Sequence, residues 1–89
     1  MTALRANVVK ALRANVPEPL KAALEQLLAD NGAVTAIQNL VSANFKTPAG
    51  ITAEAILGLP MAEATKGLLT GNRPLVDYLV NTAISKIPH

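Results

Sequence analysis

Proline and glycine set the strongest limit on what this chain can become. Six prolines and five glycines are spread along 89 residues. They cut the sequence into five or six pieces. Between the cuts Ala and Leu dominate, and both are strong helix formers. No run alternates polar and apolar residues as a half-buried strand does. The expectation is an all-α fold: a small single-domain bundle of five or six short helices with crossed axes. A coiled coil would need heptads sustained over spans that the prolines interrupt. The length leaves room for one small core and no second domain.

The apolar spacing predicts where the helices lie. The first runs from about Thr2 to Asn15, with Leu4, Val8, Ala11 and Leu12 on one face and Thr2 as its N-cap. Pro17 and Pro19 end it. The second, about Glu18 to Asn31, carries the cleanest stripe: Leu20, Ala23, Leu24, Leu27 and Leu28. Lys21 and Glu25 stand four apart outside that stripe, and Asn31-Gly32 reads as a C-terminal stop. The third runs from about Ala33 to Lys46. Val34, Ile37, Leu40, Val41 and Phe45 form its apolar face, and Asn44 inside that arc reads as a terminal or capping residue. A short helix follows from about Thr52 to Leu59. Pro60 is expected to open the next one, through Thr70, because a first-turn proline loses no hydrogen bond. Gly71-Asn72 ends that helix, and the last runs from about Pro74 to Ile87. There Val76, Leu79, Val80, Ala83, Ile84 and Ile87 align, opposite Asp77, Tyr78, Asn81 and Ser85. A buried Leu24 or Leu27 cut to Ala should cost about 2–5 kcal/mol, out of a total of roughly 4–13 kcal/mol.

One internal repeat is visible. Ala3 to Val8 recurs as Ala11 to Val16, a period of eight residues. Eight residues fall about 80° short of whole helical turns. The two copies therefore occupy different faces, which fits low complexity better than a duplicated surface.

Composition narrows the chemistry. With no cysteine there is no disulfide framework, thiolate nucleophile or cysteine-held metal. The one histidine is the last residue, His89. It reads equally as a native end or a tag remnant, and a catalytic imidazole must be held in place. The six acids are Glu18, Glu25, Asp30, Glu54, Glu63 and Asp77. None pairs with another acid or with His at helical spacing, as a bundle metal site requires. Gly67 and Gly71 are spaced by three residues but lead into Arg73-Pro74, not Lys-Ser/Thr, so they read as a helix end, not a phosphate loop. The expectation is a non-enzyme with no cofactor.

A formal charge of +2 is too small to suggest nucleic acid. The two aromatics, Phe45 and Tyr78, are too few for a stacking platform. The third helix has Thr35, Gln38 and Asn39 near its start but no base before Lys46, so it makes a poor reading helix. The longest uncharged stretch, Asn31 to Phe45, is broken by polar residues, so no membrane span is expected. No apolar region follows the first basic residues, so no secretory signal is expected either.

What remains is an imbalance. The chain is 51% hydrophobic and 16% charged, against about 25% charged in an ordinary soluble chain. Either part of the surface faces something other than water, or Ala, Thr, Ser and Asn cover it. The first alternative leads to a non-enzymatic protein–protein interaction or self-assembly module, homo-oligomeric through a low-charge helical surface. Thr35, Gln38, Asn39 and Ser42 on the third helix are its candidate residues, with the 53–69 region as a second surface. The alternative is a carrier of an apolar ligand or lipid, using a cavity near Leu57, Leu59 and Met61. A further variant is a membrane-surface binder using the basic first helix, where Arg5, Lys10 and Arg13 occur with no acid.

Overall fold

A computed structural model describes the backbone of residues 2–44 and 46–85, and the side chains of residues 6–44 and 46–85. The expectations placed on Phe45, Ile87 and His89, and on the side chains of Thr2, Leu4 and Arg5, fall outside the described residues. Six α-helices follow one another: α1 (Thr2–Ala14), α2 (Lys21–Leu28), α3 (Asn31–Ala43), α4 (Ala53–Leu57), α5 (Glu63–Thr70) and α6 (Arg73–Ser85). Two 3₁₀ turns, Glu18–Leu20 and Pro48–Gly50, precede α2 and α4. No strand occurs among the described residues. This is the small all-α bundle that the Pro/Gly spacing implies.

α1 buries Val8 and Leu12. α2 buries Leu24 and Leu27, with Leu20 buried in the turn ahead of it and Ala23 and Leu28 packed alongside. The whole expected stripe thus reaches the core. The 3₁₀ turn before α2 carries Pro19 in its first turn, where a missing N–H loses no helical hydrogen bond.

The boundary between α2 and α3 differs from the sequence expectation. Asn31-Gly32 is not a stop: both residues lie in the first turn of α3. The cause is Asp30, whose Oδ1 accepts from the N–H groups of Gly32 at 3.0 Å and Ala33 at 3.2 Å. This is an N-cap, and it satisfies two of the four orphan donors of the helix start.

α3 buries Ala33, Val34, Ala36, Ile37 and Val41. Asn44 closes it, its Nδ2 donating to the Leu40 carbonyl at 2.9 Å. Asn44 is therefore the capping residue that the sequence suggests. Gly50 lies against its amide so closely that a Cβ there would collide with Oδ1. Thr52 caps α4, with Oγ1 accepting from the Ala55 N–H at 3.2 Å.

Pro60 does not open a helix. The chain stays extended through Ala62 (φ −61°, ψ 149°), and α5 begins at Glu63. Asp30 again fixes the start, as described below. Gly71 ends α5 and Asn72 starts α6, its Oδ1 accepting from the Leu75 N–H at 3.2 Å. α6 buries Leu75, Val76, Leu79, Thr82 and Ala83. Ile84, expected on that face, is 39% exposed, while Leu75 takes a core place.

α6 packs against α1, α4 and α5, while α3 packs on α1 and α2. One apolar cluster draws on all six helices. The radius of gyration is 11.6 Å, close to the about 12 Å expected of a compact domain this size.

Candidate functional site: the outer face of α3 and the Asp30 junction

Amphipathicity turns one side of α3 into the core and leaves the other outside. Thr35, Asn39 and Ser42 are exposed and Gln38 is half-buried. Asn31, Gly32 and Ala43 are exposed on the same helix, and no residue of α3 is charged. The four candidate residues therefore share one uncharged surface.

Small residues also cover much of the rest. Ala6, Ala14, Ala22, Ala29, Ala43, Ala49, Ala62 and Ala64 are all exposed. These alanines account for much of the low charge without any partner. What sets α3 apart is the concentration of amide and hydroxyl groups with no charge among them.

The N-terminus of α3 meets the start of α5 at one carboxylate. Asp30 Oδ1 caps α3, while Oδ2 accepts from the Thr65 hydroxyl at 2.8 Å and from the Ala62 N–H at 3.3 Å. Ala62 is the N-cap of α5 and has no side chain able to bond. Asp30 thus supplies from a distance what a capping box supplies locally, a carboxylate on the N-cap N–H. It lies at the positive ends of two helix dipoles. The Thr65 bond is the largest cause holding its carboxyl below the ordinary carboxylate value; partial burial opposes this, and the Ala33, Ala62 and Gly32 N–H groups add to it.

Leu57, Leu59 and Met61 do not share one environment. Leu57 is 37% exposed, whereas Leu59 and Met61 rest half-buried on the core. The two described clefts lie elsewhere. One, of about 190 Å³, runs between α1 and α6 beside Tyr78 and Thr82; the other, of about 280 Å³, lies between α2 and α5.

Of the basic trio, Arg5 has no described side chain, Lys10 is exposed, and Arg13 is engaged. Its Nε and Nη2 donate to Glu25 Oε2 at 3.0 Å and Oε1 at 2.9 Å, tying α1 to α2. Glu25 therefore does not pair with Lys21, which turns to Glu18 at 3.0 Å instead. A two-point fork onto a carboxylate is the geometry Arg favours, and it leaves less of Arg13 for an anionic surface.

Three residues with structural roles were not visible as such in the sequence. Asp30 carried the signature of an N-cap, an Asp just before a helical run, but the adjacent Asn-Gly masked it. Thr65 carried no local signal. Tyr78, counted on an outer face, donates its hydroxyl to the Leu12 carbonyl at 2.6 Å. The amphipathic ring was the signal there, since a part-buried Tyr O–H needs a partner.

Among the described residues no three His, Cys, Asp or Glu side chains converge as metal ligands, and no helix is long and apolar enough to cross a membrane. Comparison with known protein families, with curated proteins and with solved structures gave no match.

Proposed function

We propose that this chain is a non-enzymatic interaction module that self-associates through the outer face of α3. The observation that carries the reading is the exposed, uncharged set Thr35, Asn39 and Ser42 beside half-buried Gln38. Each of these side chains both donates and accepts hydrogen bonds. Such a face is complementary to itself, so two copies related by a two-fold axis can pair without like charges meeting. A face of one charge sign would repel its own copy.

Size sets the strength. α3 has 13 residues, so it is about 20 Å long and about 10 Å across, a footprint of about 200 Å². Stable complexes bury roughly 800 Å² per partner. Association through α3 alone is therefore weak, and a tighter dimer must recruit surface beside it. Concentration-dependent shifts of the amide signals of Thr35, Asn39 and Ser42 are the test. Gln38→Glu and Ser42→Glu place like charges opposite each other across the axis, so they should abolish those shifts while the fold persists. Amide shifts that do not depend on concentration count against the reading.

A further inference from the structure

α5 is a weak helix taken by itself. It has eight residues, too few to be stable alone. It buries only Thr65 and Leu69. Gly67 sits at its middle with no atom near enough to touch a Cβ, so the glycine weakens the helix with no packing reason for it. Gly58, the C-cap of α4, and Gly71, the C-cap of α5, flank the segment. The stretch before the helix rests Leu59 and Met61 on the core. Behind α5 lies the 280 Å³ cleft lined by Gln26, Ala29, Ala64, Thr65 and Leu68.

We propose that residues 59–70 form a flap that opens from α2 as a unit, latched by the bonds from Thr65 and Ala62 to the Asp30 carboxylate. Opening lifts Leu59, Met61 and Leu69 away and widens the α2–α5 cleft. The latch depends on charge. An ionised carboxylate accepts all four of its bonds, whereas a protonated one must give up part of that capacity to its own O–H. Around it, α3 bears no charge, and Glu63 and Lys66 of α5 are exposed. Glu25 of α2 is paired with Arg13, and no ion pair described for the chain includes Asp30. The protonation that releases the flap is therefore that of Asp30 itself. The inference does not depend on how the face of α3 is used.

Native-state hydrogen exchange of the intact chain in low urea tests both halves of the proposal. The N–H of Lys66, bonded to the Ala62 carbonyl, and that of Gly71, bonded to the Gly67 carbonyl, report on α5; the amides around Leu79 report on α6. The α5 amides should share one opening step, less dependent on urea than that of α6 and faster. Asp30→Asn should raise the α5 opening equilibrium about tenfold, the loss expected for bonds to a charged group. Thr65→Val, which removes one bond and keeps the shape, should act in the same direction if Asp30→Asn does not fold. Equal opening and equal urea dependence for α5 and α6 would mean there is no flap. Separate opening of α5 that neither variant changes would mean Asp30 is not its latch.

Discussion

The hydroxyl of Thr65 donates to the carboxylate of Asp30 at 2.8 Å, joining residues 35 apart in the chain. The same carboxylate caps α3 and bonds the N–H of Ala62. One acid therefore sets where two helices begin. It displaces α3 forward onto Asn31, and it delays α5 past Pro60 to Glu63.

This junction gives stability a defined dependence on pH. The folded Asp30 carboxyl sits below its ordinary value, chiefly through Thr65. A carboxyl lowered by folding stabilises fully above its unfolded pKa, and that contribution fades as pH falls through the folded one. Urea unfolding should therefore show stability falling below about pH 4, the ordinary Asp range. Asp30→Asn should be less stable at neutral pH and should lose this part of the acid slope. An unchanged slope would remove Asp30 from the acid response.

Tyr78 ties α6 to the C-terminal end of α1, where helix carbonyls lack partners of their own. Tyr78→Phe keeps the ring and deletes the bond, so it should cost about 0.5–1.5 kcal/mol. Thermal or urea unfolding followed by circular dichroism measures this. A neutral result would mean that water replaces the hydroxyl at no cost.

Two glycines should respond with opposite signs. No glycine has a left-handed φ, so neither needs Gly for its backbone. At Gly67 a Cβ meets nothing, and Gly67→Ala should stabilise by roughly 0.5–1 kcal/mol. At Gly50 a Cβ meets the Asn44 amide. Gly50→Ala should displace that side chain from the Leu40 carbonyl and cost about 1 kcal/mol. Melting curves of the two variants decide it.

Leu27 is fully buried on α2. Leu27→Ala should cost about 2–5 kcal/mol, depending on how far the site collapses. A smaller loss in the urea midpoint would place Leu27 outside the core.

Periodicity made α2 legible because its stripe is both local and complete, from Leu20 to Leu28. The same reasoning found the uncharged side of α3, since a helix facing the core on one side must show its other residues outward. It failed where a distant residue decided the outcome. Pro60 suits a helix start by local rules, yet a carboxylate far back in the sequence holds Ala62 extended. Ile84 continues an apolar face that the neighbouring helices do not reach. Arg13 looked like part of a basic surface because its partner, Glu25, lies on another helix. Pairings across helices leave no trace in spacing along one of them.

The central functional claim is self-association through α3, and sedimentation equilibrium tests it most directly. Wild type and a Gln38→Glu, Ser42→Glu double variant should be run from about 10 μM to about 1 mM, the range in which a weak dimer forms. The wild-type mass should rise from the 9.3 kDa of the monomer toward twice that value, while the variant stays at the monomer mass. A wild type that remains at the monomer mass throughout contradicts the claim, as does a variant that associates equally well.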